Sequence, residues 1–283
     1  MALLPVCFFG NEFTATENGK IPCSDLGVLR GYGIFDYFRT YGRKPFSLDD
    51  YLARFANSAK LLRLDLPLSH SELSTCVKEL ISRNIVAATS YNGEIACRLV
   101  LTGGDSADSI RLTGESNFFI MAETVPDNAA EIARKGMAVI THNYQRYLPE
   151  VKSTNYLTSI HLQPQLDAAG AAEVIYTLNN SVFEGSRSNI FLFSKETLVT
   201  PKDGILLGNT RKALLSLARG EFEIEERPVS YEELRTAEEV FISASGRLIN
   251  GVTAIDGKPV GSGVCGKRTL HLLDKFLTFA NQG

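Results

Sequence analysis

The chain has 283 residues and a formal net charge of -3, with 44% hydrophobic and 22% charged residues. A chain of this length is expected to form two domains, and its composition is that of a soluble globular protein rather than a membrane protein. Basic and acidic residues are interspersed, so the charge pattern argues against nucleic-acid binding and favours a small-molecule partner.

The first predicted elements are a hairpin, then a glycine-rich turn and a strand. Gly10-Asn11 suits a tight turn between two short strands. The segment 30–41 is then predicted to be a turn followed by a strand, whose side chains alternate between two faces. One face carries Phe35, Tyr37 and Arg39, so aromatic and cationic groups are expected to lie together there.

The rest of the first half is predicted to be a helix from Ser47 to about Leu64, a helix from Ser71 to Arg83, and strands over 94–102 and 117–121. Ser47, with an acidic residue three positions later, suits a helix N-cap. Arg54 falls at the border of the buried face of that helix. Arg98 lies inside a strand, where a cation must face solvent or meet an anion.

A domain break is predicted where Pro126-Asp127-Asn128 interrupts the pattern. We assign 1–122 to a small N-terminal domain, 123–130 to a linker and 131–283 to a larger C-terminal domain. The amino terminus has no basic region ahead of its short apolar run, which predicts a cytoplasmic protein. The five scattered cysteines lack a C-x-x-C pair and the four histidines lack metal-ligand spacing, so free thiols and no metal site are predicted.

In the second half we predict a strand over 136–141, a helix over 159–170, a strand over 174–178 and a return strand over 182–193. Glu184 is the one acid in the return strand, and a buried carboxylate needs a positive partner or a proton donor. Ser186, Ser188 and Asn189 follow it and suggest a hydrogen-bonded polar pocket.

Two turns in this half suit a phosphate group. Gly208-Asn209-Thr210-Arg211 is predicted to open a helix capped by Asn209 or Thr210, and the unpaired amides and dipole of a helix start favour an anion. Ser243-Ala244-Ser245-Gly246 follows a strand over 239–242 and is a second small, hydroxyl-rich turn.

Lys152 stands among small and hydrogen-bonding residues in the segment Val151-Lys152-Ser153-Thr154-Asn155-Tyr156. A lysine amine is a nucleophile only when part of its population is neutral, and burial beside Tyr147, Leu148 and Tyr156 would favour that form. Such an amine can hold an aldehyde cofactor as a Schiff base.

Taken together, these motifs resemble the class IV, or fold type IV, pyridoxal-phosphate aminotransferases. The resemblance runs from about Gly31 to Val260, with the motifs in the family's order. It implies an α/β (α+β) fold of two domains, a small N-terminal and a larger C-terminal one, with the cofactor in the interdomain cleft. It also implies a homodimer whose small-domain loop closes the neighbouring subunit's site.

Carried over residue by residue, the resemblance implies that Lys152 binds pyridoxal 5'-phosphate and shuttles the proton. Glu184 would pair with the pyridine nitrogen, and Tyr156 would contact the phenolic oxygen. The remaining implied cofactor-binding residues are Arg54, Asn209, Thr210 and Ser245 at the phosphate, together with Ser188 and Asn189.

The substrate residues depart from each branch of the family. Arg30 occupies the position that resembles a tyrosine of the branched-chain aminotransferases. The D-specific enzymes have an Arg-x-His sequence after the strand over 94–102, and this chain has Gly103-Gly104-Asp105 there instead. Tyr37 fits neither the branched-chain group nor the lyases. We therefore expect Arg30 or Arg98 to hold the substrate carboxylate, with Phe35, Tyr37 and Gly246 shaping the pocket.

The preferred hypothesis is a transaminase that moves an amino group between a D-amino acid and a 2-oxo acid such as 2-oxoglutarate. The alternatives are an L-branched-chain aminotransferase, an aminodeoxychorismate lyase, or a binding protein that has lost its chemistry. The presence of both Lys152 and Glu184 argues against the last of these.

Overall fold

The computed structural model describes residues 1–282, which group into two compact units. The first unit contains Met1–Asp127 and Val151–Tyr156, and the second contains Asn128–Glu150 and Leu157–Gln282. The chain therefore returns to the first unit for the short segment that carries Lys152. None of the helices within residues 1–282 combines the length and apolar character needed to cross a lipid bilayer.

The first unit is built on a six-stranded antiparallel sheet with the strand order β2-β1-β6-β5-β3-β4. Its strands are β1 (Val6–Phe9), β2 (Glu12–Ala15), β3 (Gly33–Tyr41), β4 (Lys44–Pro45), β5 (Ile95–Thr102) and β6 (Phe118–Thr124). Its helices are α1 (Leu26–Arg30), α2 (Leu48–Leu61) and α3 (His70–Ala87), with a 3-10 turn over Thr16–Asn18.

The predicted hairpin is confirmed. Gly10 and Asn11 have φ values of 58° and 66°, the left-handed conformation that a two-residue turn between antiparallel strands requires. The predicted start of α2 is also confirmed, but Ser47 has a φ of 47° and its side chain makes no capping bond. The capping box occurs instead on α3, where Ser69 and Glu72 bond reciprocally, so that helix begins before the predicted Ser71.

The predicted alternation along β3 is confirmed, and it gives the sheet two different faces. Asp36 and Phe38 point toward α2, where the Phe38 ring lies 5.3 Å from that of Tyr51. Phe35, Tyr37 and Arg39 point to the opposite side, which we call the Phe35 face. Because Tyr37 pairs with Arg98 across the β3–β5 ladder, Arg98 belongs to the Phe35 face as well.

The second unit is built on a ten-stranded sheet with the order β12-β11-β10-β14-β15-β7-β8-β9-β13, and β16 pairs with β15. Its strands are β7 (Met137–Asn143), β8 (Glu173–Leu178), β9 (Ser181–Gly185), β10 (Asn189–Ser194), β11 (Thr197–Thr200), β12 (Glu223–Glu226), β13 (Val229–Ser230), β14 (Glu239–Ala244), β15 (Leu248–Ile255) and β16 (Lys258–Pro259). Its helices are α4 (Ala129–Lys135), α5 (Leu157–His161), α6 (Gln163–Ala169), α7 (Asn209–Ala218), α8 (Tyr231–Thr236) and α9 (Lys267–Gln282).

Three predictions for this unit were wrong in detail. The single helix over 159–170 is two helices, because Pro164 lies in the first turn of α6 and starts a new helix there. The return strand over 182–193 is two strands, β9 and β10, separated by residues 186–188. The N-cap of α7 is Gly208 rather than Asn209 or Thr210.

Candidate active site

Lys152 is fixed by backbone hydrogen bonds to the start of β3. Its carbonyl accepts from the Phe35 amide at 3.0 Å, and the Thr154 amide donates to the Gly33 carbonyl at 2.9 Å. The Lys152 amide donates to Ser58 Oγ on α2 at 3.2 Å. The segment therefore extends the ladder of β3, which fixes the position of the Lys152 Cα relative to the Phe35 face.

The Lys152 side chain lies over the ring of Phe35, with Nζ 4.7 Å from the ring centroid. The Tyr156 ring meets the same phenyl ring edge-on, at a centroid distance of 5.5 Å. Tyr147, which was expected to help bury the amine, is 81% exposed, so that expectation was wrong. Two predicted site residues, Lys152 and Tyr156, therefore contact the ring of a third, Phe35.

Arg98 also approaches Phe35. Its guanidinium carbon lies 5.7 Å from the Phe35 ring centroid and 4.9 Å from that of Tyr37. Glu123 forms an ion pair with it, with Arg98 Nε 2.7 Å from Oε1. The Phe35 ring is thus contacted both by the predicted catalytic amine and by a guanidinium predicted to hold the substrate.

Arg54 lies on α2 and meets the other face of β3. Its Nη2 is 2.6 Å from Asp36 Oδ1 and its Nε is 2.9 Å from Oδ2, a bidentate ion pair. Burial opposes the charged form of Arg54, but the charge and hydrogen bonds of Asp36 outweigh burial and raise the pKa of the guanidinium. Arg54 therefore remains a cation although its side chain is only 11% exposed.

Arg30, the other candidate for the substrate carboxylate, lies at the end of α1. It lines a cavity of about 610 Å³ together with Leu26, Tyr32, Arg63, Ile110, Arg111 and Leu112. Its Nη1 donates to the carbonyl of Leu29 at 2.9 Å. Arg98 contacts the same ring as Lys152, whereas Arg30 lines a cavity whose lining does not include that ring.

In the second unit, Glu184 is buried at the end of β9 and has a cationic partner. Arg146 Nε lies 2.7 Å from Glu184 Oε1, and the Leu206 amide donates to Oε2 at 2.9 Å. Arg146 also donates to the carbonyl of Pro149. The expectation that this carboxylate needs a positive partner is confirmed, but the sequence had not identified Arg146 as that partner.

The polar residues after Glu184 are buried and hydrogen-bonded, as predicted. Ser186 and Ser188 donate to the carboxylate of Glu173, which is fully buried at the start of β8. Asn189 Nδ2 donates to the Leu206 carbonyl at 2.7 Å. Since Glu184 accepts from the Leu206 amide, the N–H and the C=O of Leu206 are both hydrogen-bonded to side chains of the segment 184–189.

The start of α7 brings together several small polar groups. Gly208 is the N-cap, and a Cβ there would lie 2.1 Å from Asn189 Oδ1, so a larger residue would displace the Asn189 side chain. Asn209 and Thr210 follow and are buried. In the neighbouring turn after β14, Ser243 is buried, Ser245 is half-buried and Gly246 is exposed.

Residues 33–255 match the family model for amino-transferase class IV. The chain is a class IV aminotransferase. Members of this family use pyridoxal 5'-phosphate, and the enzyme is accordingly a pyridoxal-phosphate-dependent transaminase.

Relatives of the aminotransferase carry two different names. A protein of Methanocaldococcus jannaschii, provisionally named a branched-chain-amino-acid aminotransferase, is 32% identical over 281 residues, which cover 95% of this chain and 94% of the relative. A D-alanine aminotransferase of Bacillus licheniformis is 30% identical over 269 residues and 93% of each chain. Among solved structures, the branched-chain amino acid aminotransferase of Escherichia coli has a TM-score of 0.89 at 26% identity, covering 99% of this chain and 95% of that one.

The polar groups around α7 suit a phosphate. Within residues 1–282, Asn209 Nδ2 and Ser243 Oγ are buried without a hydrogen-bond partner. A buried donor without a partner is costly, and a phosphate oxygen would accept from both groups. Gly208 offers no side chain to the first amides of α7, which leaves them available to an anion. The residues present therefore fit the phosphate of the cofactor.

The residues that hold the predicted site residues in place were not predicted from the sequence. Asp36, Glu123, Arg146 and Glu173 each hold a predicted residue or its loop in place. Asp36 carried one available signal, because it alternates with Tyr37 on a strand and a buried acid needs a cation. The other three lie in segments whose spacing gives no indication of the long-range pair.

Proposed function

We propose that this aminotransferase transfers an amino group between a D-amino acid and a 2-oxo acid such as 2-oxoglutarate. The observation that carries the proposal is that Lys152 Nζ and the Arg98 guanidinium both lie against the ring of Phe35, at 4.7 and 5.7 Å from its centroid. An amine that handles the α-proton and a cation that holds the α-carboxylate must both reach one small substrate, and this ring brings them close.

In this proposal Lys152 Nζ would hold the cofactor through its aldehyde group and would act as the base that takes the α-proton of the substrate. When bound, the cofactor supplies an electron sink for the pair left on the α-carbon. Tyr156, which contacts the same Phe35 ring as Lys152, would donate to the phenolic oxygen of the cofactor. Lys152 would also hold that proton and return it, so that one amine would serve as base and then as acid while the amino group passes from an amino acid to a 2-oxo acid.

Glu184 is proposed to hold a proton on the pyridine nitrogen. Its carboxylate is 5% exposed and already anchored by Arg146 and the Leu206 amide, so it cannot easily move. The phosphate would be held by Arg54 and, in the second unit, by Asn209, Thr210 and Ser245. Of these, the buried and unpartnered Nδ2 of Asn209 gives the strongest support.

Replacing Glu184 with glutamine should lower the turnover number about tenfold to hundredfold, since a hydrogen bond to a charged group contributes about 1.5–3 kcal/mol. Glutamine keeps the shape but not the charge of the carboxylate. Turnover of the preferred amino acid with 2-oxoglutarate measures the effect. Glu226→Gln, in a second Glu–Arg pair of the same unit, is the matched control. Wild-type turnover in Glu184→Gln would remove Glu184 from the proposed mechanism.

Substrate stereochemistry is tested with a panel of D- and L-amino acids and 2-oxoglutarate as acceptor. The Arg98 guanidinium lies over the Tyr37 ring, with its central carbon 4.9 Å from the ring centroid, and this pair reduces the space for a purely aliphatic pocket. We therefore expect D-alanine or another D-amino acid to be preferred at least about tenfold. Preferred turnover of L-leucine would instead support the L-branched-chain alternative. Pyruvate release from aminodeoxychorismate without an oxo-acid acceptor would support the lyase.

A homodimer is part of the same proposal. Leu157 and Ile160 on α5 are 76% and 68% exposed, and large exposed apolar side chains often lie in subunit interfaces. Light scattering coupled to gel filtration should therefore give twice the chain mass of 31.0 kDa. A monomeric mass would reject this part of the proposal and leave the transaminase assignment unchanged.

A further inference from the structure

We propose that Glu123 is a positioning residue for Arg98, which it holds so that one edge of the guanidinium stays open to the substrate carboxylate. This inference rests on the proposed role of Arg98. It assigns Glu123, at the end of β6, to the recognition of the substrate.

The strand register places the two residues on one face of the sheet. Arg98 on β5 pairs with Met121, whereas Glu123 pairs with Ala96, two positions further along the ladder. Side chains two positions apart on a shared face are diagonal neighbours within reach of long residues. Because Ala96 is small, it leaves room for the carboxylate of Glu123 to reach across to Arg98.

The contact uses only part of the guanidinium. Nε donates to Glu123 Oε1 at 2.7 Å and Nη2 donates to Oε2 at 3.3 Å. A guanidinium has five N–H donors in a planar fork, so both hydrogens of Nη1 and one of Nη2 remain. Within residues 1–282 these hydrogen bonds to Glu123 are the ones that Arg98 makes, which leaves the outer edge available to a second carboxylate.

Aromatic rings restrict the plane of the same guanidinium. Tyr37 lies 4.9 Å and Phe35 5.7 Å from its central carbon. Burial, followed by the charge of Glu123, raises the pKa of Tyr37 to about 12, so the tyrosine stays neutral and Glu123 supplies the counter-charge. The two rings restrict the tilt of the guanidinium plane, and the hydrogen bonds to Glu123 fix how the guanidinium is turned within that plane.

Burial distinguishes the roles of the two partners. The Glu123 side chain is 9% exposed and the Arg98 side chain is 30% exposed, so the acid is the buried anchor and the arginine keeps an accessible edge. Without Glu123, the long arginine side chain would occupy several rotamers and would have to be ordered by each incoming substrate. A pre-oriented guanidinium avoids that cost at every turnover.

The test measures the holoenzyme and its variants with two amino donors. One is alanine of the preferred hand, and the other is isopropylamine, which has a methyl group in place of the carboxylate of alanine. Glu123→Ala should raise KM for alanine about tenfold and leave the half-reaction rate with isopropylamine within about twofold. Glu123→Gln retains a carbonyl acceptor for Nε and should restore most of the loss. Arg98→Ala combined with Glu123→Ala should be no worse for alanine than Arg98→Ala alone, because the two residues act together.

A second readout does not depend on activity. Phenylglyoxal modifies exposed arginines, and mass spectrometry of the cofactor-free protein locates the adduct. Glu123→Ala should increase the rate of modification at Arg98 several-fold, whereas Glu79→Ala, which removes the partner of Arg83 on α3, should not change it.

The outcomes separate this inference from the proposed function. If Arg98→Ala affects alanine and isopropylamine equally, Arg98 does not hold the substrate carboxylate and both ideas fail. If Arg98→Ala is selective for alanine but Glu123→Ala is not, only the positioning role fails. A lower KM for alanine in both Glu123→Ala and Glu123→Gln would also overturn it, since that result would mean that Glu123 acts by repelling the substrate.

Discussion

Replacing Lys152 with alanine should lower the rate of transamination by about 10⁴-fold, the upper end of the contribution of a positioned acid–base group. Lys152 is the proposed carrier of the α-proton, and its Nζ lies 4.7 Å from the centroid of the Phe35 ring. The rate is measured as 2-oxo acid formed from the preferred amino acid with 2-oxoglutarate. Added methylamine should recover part of the lost rate, because it can act as an external base.

The matched control is Lys60→Ala, which removes an exposed lysine on α2 and should leave the rate unchanged. Borohydride reduction of the holoenzyme should attach the cofactor to the peptide that contains Lys152, and the adduct should disappear in Lys152→Ala. A variant that keeps more than a tenth of the activity, or an adduct on a different lysine, would contradict the role of Lys152.

Replacing Asp36 with alanine should lower the free energy of unfolding of the cofactor-free protein by about 3–5 kcal/mol, the usual cost of breaking a buried ion pair. Asp36 is 1% exposed and Arg54 is 11% exposed, so the arginine would be left almost entirely buried without its counter-charge. Urea denaturation measures the loss. Affinity for pyridoxal 5'-phosphate should fall as well, because Asp36 also orients the proposed phosphate ligand.

Glu79→Ala provides the comparison for this stability effect. Glu79 and Arg83 form an ion pair on the surface of α3, with side chains 46% and 50% exposed, and such pairs contribute about 0–1 kcal/mol. An unfolding free energy in Asp36→Ala within 1 kcal/mol of the wild-type value would show that the buried pair is not a stabilising contact.

Local chemistry determined which parts of the fold the sequence could predict. The turn at Gly10-Asn11 and the alternation of Phe35 and Tyr37 depend on neighbouring residues, and both were confirmed. The break in the return strand was not predicted, because Ser186 and Ser188 bond to Glu173, which lies on another strand. Short-range periodicity contains no information about such a contact.

The candidate site shows the same limit. Family motifs led to Lys152, Glu184 and the start of α7, but not to the residues that hold them. Glu123 was assigned to a linker because it lies shortly before Pro126. In the structure it is part of β6 and forms an ion pair with Arg98. Partners of this kind are set by strand register, which depends on the whole sheet.

The return of Val151–Tyr156 to the first unit has a consequence for synthesis of the chain on the ribosome. A nascent polypeptide that ends at Asp127 lacks the backbone that pairs with Gly33 and Phe35, so the edge of β3 stays open until Tyr156 has emerged. The first unit can therefore be completed only after part of the second has been translated. Cutting the gene after Asp127 would separate Lys152 from the Phe35 ring that its amine contacts.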